Sequence, residues 1–119
     1  MRGHETDPHA LLGAQVVRTW RTEIDPSHAD EYDDFARTKS LRMFRAQPGF
    51  RAVLFSSYGV VRLVVTFWQD RESVEALQSS PTYAATVNEI EGSGFLRGNQ
   101  TVEAFDIDIM FSHVENTML

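Results

Sequence analysis

The segment that most constrains the fold runs from Val60 to Trp68 and leads directly into Gln69–Ser73. Its residues are mostly β-branched or aromatic, which is typical of a buried strand. Asp70 follows at once and can cap a helix that begins near Arg71, so the strand should turn abruptly into a helix. A tryptophan at such a junction is well placed to line a cavity between a sheet and a helix layer.

The rest of the chain predicts three more strands and the helices between them. The predicted elements are a strand over 15–24, a helix over 28–46, a strand over 50–58, helices over 71–79 and 82–90, and a strand over 100–108. Ser27 followed by Asp30 resembles a capping box, and Ser80 followed by Pro81 is a helix-start signal. The order is β-α-β-β-α-β, which predicts a ferredoxin-like α+β domain whose helices cover one face of a four-stranded antiparallel sheet.

The predicted domain spans residues 14–108, after a flexible N-terminal arm over 1–13 and before a C-terminal tail over 109–119. Its third strand carries Val61, Leu63, Val65 and Phe67 on the face that the helices leave uncovered. An apolar sheet face without a covering layer needs a partner. We therefore expect a homodimer formed through this face.

Composition excludes several classes of site. The chain has 119 residues and no cysteine, so disulfides, thiolate metal sites and cysteine nucleophiles are excluded, which suits a cytoplasmic protein. A formal charge of −6 argues against nucleic-acid binding, which needs a concentrated basic surface. No apolar run is long enough for a membrane span, so no membrane association is expected.

Several short motifs resemble the antibiotic-biosynthesis monooxygenase family. They are Gln47–Phe50 before the hairpin, Phe67–Ser73 at the strand end, Ser80–Tyr83 and the closing Val102–Ile107. The resemblance covers about residues 15–108 and implies a dimeric α+β barrel. Its members include cofactor-free oxygenases that convert polyketide phenols to quinones, haem-degrading oxygenases, and aldolase- or cyclase-like relatives.

The resemblance also assigns roles to individual positions. Trp68 matches a tryptophan of the quinone-forming members, whereas Val64 stands where they have an asparagine and Ser56 where they have a histidine. The haem-degrading members have a second tryptophan where this chain has Leu77, and their axial histidine falls near Val87 of this chain. We therefore expect neither haem nor any other cofactor, and no metal.

Arg62 is the most unusual residue of the third strand. A guanidinium flanked by valines and leucine must reach a carboxylate, a ligand or solvent, because an unpaired buried charge is costly. As a site residue it would bind an enolate, phenolate or carboxylate, and a structural ion pair is the alternative. Arg18, set similarly in the first strand, has the same two interpretations. Tyr83 and Tyr32 are candidate hydrogen-bond donors to a substrate, or else core aromatic residues.

Together these features predict a small cofactor-independent oxygenase that acts on an aromatic or polyketide-like substrate. Trp68 and Arg62 are the predicted catalytic residues, with Tyr83, Ser56, Val64 and Tyr32 lining the substrate pocket. Arg62 would stabilise a phenolate, and Trp68 would position it. Two alternatives stay open: a noncatalytic dimer that binds a small molecule, and a cyclase or isomerase. For Trp68 itself, the alternative to lining the pocket is a plain core residue.

Overall fold

The computed structural model describes residues 10–111 and 113. The predicted N-terminal arm therefore lies outside the described residues, apart from a short 3-10 helix at Ala10–Gly13. Of the predicted C-terminal tail, only 109–111 and 113 are described. No helix in the described part of the chain combines the length and apolar character that a membrane crossing requires.

Four antiparallel strands form one sheet, in the order β2-β3-β1-β4. They are β1 (Val16–Ile24), β2 (Phe50–Tyr58), β3 (Val61–Trp68) and β4 (Leu96–Asp106). The two central strands, β1 and β3, are therefore far apart in sequence, as the split β-α-β arrangement requires. The predicted ferredoxin-like α+β fold is confirmed.

Strand β4 starts four residues before its predicted beginning at Gln100. Leu96 pairs with Ile24 and Arg97 with Glu23, after which the register shifts. Gly98, at a φ of 72°, lies in this irregular stretch. A positive φ suits glycine, and glycine beside polar residues resembles a turn in sequence. Because of this irregular stretch, the sequence prediction omitted the first residues of the strand.

The connection from β1 to β2 is helical throughout. A 3-10 turn (Pro26–His28) leads into α1 (Ala29–Phe35), a π-helical segment (Ala36–Ser40) and α2 (Leu41–Arg45). The predicted helix over 28–46 is therefore present, interrupted by a π-helical segment that no sequence pattern indicated.

The predicted capping box at Ser27 was wrong. The carboxylate of Asp25 caps this connection, since its Oδ1 accepts hydrogen bonds from the Ser27 backbone N–H at 3.0 Å and from the Ser27 hydroxyl at 2.9 Å. The hydrogen bond from the Ser27 backbone N–H is the largest of the effects that lower the pKa of the Asp25 carboxyl group. Proline at the first position of the turn places the cap one residue before it, which moves the capping role from Ser27 to Asp25.

Two further helices cross the same face of the sheet. Asp70 caps α3 (Arg71–Gln78) by accepting from the Ser73 backbone N–H at 2.9 Å. Ser80 caps α4 (Pro81–Glu91) by accepting from the Tyr83 backbone N–H at 3.3 Å. Both predicted caps are confirmed, and the second fixes the start of the helix that carries Tyr83.

The sheet alternates between a covered and an uncovered face. On β3, the covered side chains are buried and those between them are half-buried, as the period of two requires. The covered layer contains two apolar clusters. One contains Trp68 with Val16, Met43, Phe44, Val64, Val74 and Leu77, and the other contains Ile24, Tyr32, Phe35, Ala36 and Ile90.

Candidate active site

A cavity of about 50 Å³ lies between the covered sheet face and the helices, where the two apolar clusters meet. Most of its wall is apolar or aromatic, and a few polar side chains come from β1, α1, the π-helical segment and α4. Its lining residues are Arg18, Trp20, Tyr32, Phe35, Ser40, Met43, Phe44, Val64, Tyr83, Thr86, Val87 and Ile90. An apolar wall with a few convergent polar groups is the usual form of a small-molecule site.

Arg18 is the charged group of this cavity. Only 3% of its surface is exposed, and its Nη2 donates a hydrogen bond of 2.6 Å to the hydroxyl of Tyr83. Its Nε is buried without a hydrogen-bond partner, and no carboxylate of the described residues forms an ion pair with it. A buried guanidinium without a countercharge favours an anion at this point.

Tyr83 supports Arg18 in two ways. Its hydroxyl oxygen accepts the Arg18 hydrogen bond, and its ring lies 5.3 Å from the guanidinium carbon. Because the oxygen is the acceptor in this contact, its own proton remains available to a ligand. Thr86 and Val87 of α4 and Ser40 of the π-helical segment, all half-buried, also line the cavity.

Tyr32 closes the cavity on the side away from α4. Burial raises its pKa to about 12, although the nearby Arg62 guanidinium acts in the opposite direction. The Tyr32 hydroxyl therefore stays protonated at neutral pH, and it can donate a hydrogen bond but not act as a base. With Val64 from β3, it forms a wall that the cavity shares with a neighbouring cleft.

Arg62 lies in that neighbouring cleft rather than in the cavity. Its Nη1 donates to the carbonyl oxygens of Gly59, at 2.8 Å, and Val61, at 3.2 Å. Its Nε lies 3.5 Å from Oδ1 of Asp33, close enough for ion pairing although the geometry gives no hydrogen bond. Arg62 therefore lies outside the cavity with its charge compensated by Asp33, whereas the Arg18 guanidinium lines the cavity without a carboxylate partner among the described residues.

Trp68 also lies away from the cavity. It is 0% exposed, and its Nε1 donates a hydrogen bond of 2.7 Å to Oγ1 of Thr66. Phe44 and Phe50 contact it edge-to-face, with ring centroids 6.4 and 5.7 Å from its own. An indole with its N–H satisfied and both sides packed is a core residue, which corrects the expectation that Trp68 lines the pocket.

The structure brings three of the other predicted site residues together. Tyr83, Val64 and Tyr32 line the cavity. Ser56 does not, because it pairs with Leu63 on the uncovered sheet face and its hydroxyl donates to the Leu63 carbonyl at 3.1 Å. Sequence reasoning missed the aromatic wall residue Trp20, whose place on the same strand face as Arg18 was the available signal.

The residues that line the cavity include no acid or histidine. Among the lining residues, Arg18 and the two tyrosines are the titratable groups. Val87, where the family resemblance places an axial histidine, contributes an apolar surface. Within residues 10–111 and 113, no group of three or more acidic, histidine or cysteine side chains is arranged to hold a metal ion.

Solved structures share this fold. The cofactor-independent oxygenase SnoaB from Streptomyces nogalater superposes with a TM-score of 0.66 at 16% identity, over 84% of this chain and 99% of SnoaB. A Deinococcus radiodurans protein provisionally named an antibiotic biosynthesis monooxygenase gives a TM-score of 0.70 at 11% identity, over 84% of this chain and 99% of its own. The chain has the antibiotic biosynthesis monooxygenase fold.

Other proteins with the antibiotic biosynthesis monooxygenase fold have no assigned role. One from Nitrosomonas europaea, of unknown function, gives a TM-score of 0.69 at 16% identity, over 86% of this chain and 97% of that one. No protein-family model matches the chain, and no curated protein matches it. At these identities the likeness establishes the fold, so an activity has to be argued from the cavity itself.

Proposed function

We propose that this protein is a small cofactor-independent oxygenase that binds an acidic aromatic compound as its anion, with the anionic oxygen held in the Arg18 cavity. The observation that supports this most directly is the buried Arg18 guanidinium, which has no carboxylate partner among the described residues. A phenolate or enolate oxygen would supply the missing negative charge. The surrounding aromatic residues would contact the ring of the ligand.

The proposed chemistry uses these groups to stabilise the substrate anion. Arg18 and the Tyr83 hydroxyl would both donate hydrogen bonds to one oxygen of the substrate, lowering its pKa. The electron-rich phenolate would then reduce O₂. One oxygen atom would enter the ring carbon opposite the phenolate, and the other would leave as water with two hydrogens from the substrate. A dihydroxynaphthalene would thus give a hydroxynaphthoquinone and one water.

A cyclase or isomerase is the less favoured candidate, because the cavity wall has no carboxylate or histidine to act as a base. The same observation supports a noncatalytic binding protein as the second candidate. It is also compatible with oxygenation, provided that the substrate ionises by itself.

Oxygen uptake separates these candidates. With 1,5-dihydroxynaphthalene, we expect the protein to consume O₂ faster than the buffer does and to form the hydroxynaphthoquinone in equal molar amount. An oxygen electrode and the visible absorbance of the quinone measure both quantities. Binding without oxygen uptake would support the noncatalytic candidate, and a rearranged product formed under nitrogen would support the isomerase.

We also propose that two copies pair through the uncovered sheet face. Leu54 and Phe105 on this face are 54% and 50% exposed in the single chain, and the β3 residues between them are only half-buried. Apolar side chains therefore lie on this face in β2, β3 and β4, and Val17 connects Phe67 to Phe105 across β1. A second copy would cover it with an identical surface about a twofold axis.

A charge at the centre of this face should separate the copies. Val65→Lys places an ammonium group on the central strand β3, and we expect sedimentation analysis to show a fall from twice the 13.5 kDa chain mass to one chain mass. Glu75→Lys, exposed on α3, is the matched control and should leave the mass unchanged. A Val65→Lys protein that keeps the doubled mass would place the contact elsewhere.

A further inference from the structure

The Arg18 cavity is too small for an aromatic ring. Its volume is about 50 Å³, whereas an engineered apolar cavity that accepts benzene measures about 150 Å³. A cleft of about 170 Å³ lies directly beside it, on the side of Arg62. Tyr32 and Val64 line both spaces, so these two side chains form the wall between them.

The Arg18 cavity and the Arg62 cleft follow one another along the covered face of the sheet. On the covered face, Arg18 pairs with Thr66, the next pair is Trp20 with Val64, and the pair beyond that places Arg62 opposite Thr22. Arg18 and Thr22 are four residues apart on β1, which is about 13 Å along an extended strand. The two arginines therefore lie at opposite ends of a floor whose middle is apolar.

The Arg62 cleft has a different polarity from the Arg18 cavity. Arg62 is 9% exposed, and its buried Nε has no hydrogen-bond partner, so a donor remains for a ligand. The Asp33 carboxylate, 3.5 Å from this Nε, offers an acceptor and also cancels the charge. The exposed Arg37 also lines the cleft, so two arginines and one aspartate leave it with a net positive charge. Such a cleft fits an oxygen acceptor on the ligand, which a hydroxyl, carbonyl or carboxylate group supplies.

We propose that the Arg62–Asp33 cleft is a second subsite, which the Tyr32 ring divides from the Arg18 cavity. It receives an oxygen acceptor (a hydroxyl, carbonyl or second carboxylate group) at the far end of an aromatic ligand whose anionic end is held at Arg18. Ligand entry displaces the Tyr32 ring, which lies 5.7 Å from the Arg62 guanidinium carbon. Tyr32 thereby sets the length of ligand that the protein accepts. This inference rests on the proposed anion site at Arg18.

Removing the dividing ring tests the arrangement. Titration calorimetry with acetate, 2-naphthoate and anthracene-2-carboxylate gives the dependence of affinity on ligand length. We expect Tyr32→Ala to bind anthracene-2-carboxylate about tenfold more tightly than the unaltered protein does, since no ring has to move, while the affinity for acetate, which has no ring and needs only the Arg18 cavity, changes by less than about twofold. Tyr32→Phe keeps the ring and is the matched control. Equal changes for all three acids would overturn the division by Tyr32.

The polarity of the cleft has its own test in the unaltered protein, which removes any dependence on a variant's folding. We expect both 6-hydroxy-2-naphthoate and naphthalene-2,6-dicarboxylate to bind more tightly than 2-naphthoate, because each brings an oxygen acceptor to the two arginines of the cleft. If neither binds more tightly than 2-naphthoate, the second subsite is wrong.

Failure of the subsite is distinguishable from failure of the anion site. If Arg18→Met leaves the affinity for acetate unchanged, the proposed site at Arg18 is wrong. If acetate binding requires Arg18 while the length and polarity preferences are absent, only the second subsite is wrong.

Discussion

Replacing Arg18 with methionine should weaken the binding of 2-naphthoate by about tenfold or more. The unpartnered Nε–H of the guanidinium is a donor for an anion, and a charge-assisted hydrogen bond contributes about 1.5–3 kcal/mol, where 1.4 kcal/mol is tenfold in affinity. Methionine keeps the apolar length of the side chain and removes only the charge. Titration calorimetry measures the loss, and oxygen uptake with 1,5-dihydroxynaphthalene should fall in parallel.

The stability of the same variant shows whether Arg18 serves a ligand or the fold. Because its buried charge has no countercharge among the described residues, Arg18→Met should leave the free energy of unfolding unchanged or raise it. Arg62→Met is the matched control. It should lower the free energy of unfolding by about 1–2 kcal/mol, because it leaves the half-exposed Asp33 without its partner. If both variants lose stability alike and Arg18→Met still binds 2-naphthoate, Arg18 is structural.

Trp68→Ala should lower the free energy of unfolding by about 3–5 kcal/mol. The indole is fully buried between Phe44 and Phe50, and its removal leaves a cavity and an unpaired Thr66 hydroxyl. For a domain of this size, the melting temperature should fall by roughly 10–20 °C. Urea unfolding followed by circular dichroism measures the change.

The chain's other tryptophan is the control for a role in binding. Trp20 is half-buried and lines the cavity, so Trp20→Phe should change the affinity for 2-naphthoate. Trp68→Phe keeps an aromatic ring in the core and should leave that affinity unchanged. A loss of affinity in Trp68→Phe alone would return the binding role to Trp68.

Much of the architecture follows from local sequence patterns. The alternation of β1 and β3 predicts which side chains face the helices. Successive side chains of a strand point to opposite faces, so assigning one residue to a face assigns all the others. The caps at Asp70 and Ser80 follow from short-range hydrogen bonding. Strand β2 follows from the turn residues on either side of it, ahead of Phe50 and at Gly59.

The roles of the two arginines depend on contacts that no local pattern contains. Arg18 and Arg62 both interrupt apolar strands on the covered face, so the local sequence pattern gives no basis for assigning them different roles. Their difference arises because α1 brings Asp33 to Arg62, whereas α4 brings Tyr83 to Arg18. Which helix residue meets which strand residue is set by how the helices pack over the sheet, which is long-range information.

The position of Trp68 was undetermined for a related reason. The sequence correctly places it on the covered face at the end of β3. Whether that end opens into a cavity depends on the elements that close it. Phe44 from α2 and Phe50 from the start of β2 fill the space around the indole, which only the packing of these distant segments reveals.

The π-helical segment Ala36–Ser40 fixes the rotational phase of α2. Its closing hydrogen bond runs from the Leu41 N–H to the Ala36 carbonyl, which is one residue more than an α-helical turn contains. Deleting one residue there would turn α2 by about 100°. Met43 and Phe44, which wall the cavity and pack in the Trp68 cluster, would then leave both places at once. Among chains of this fold, those with the extra residue should therefore have a cavity walled by α2. In those without it, other elements should form that wall.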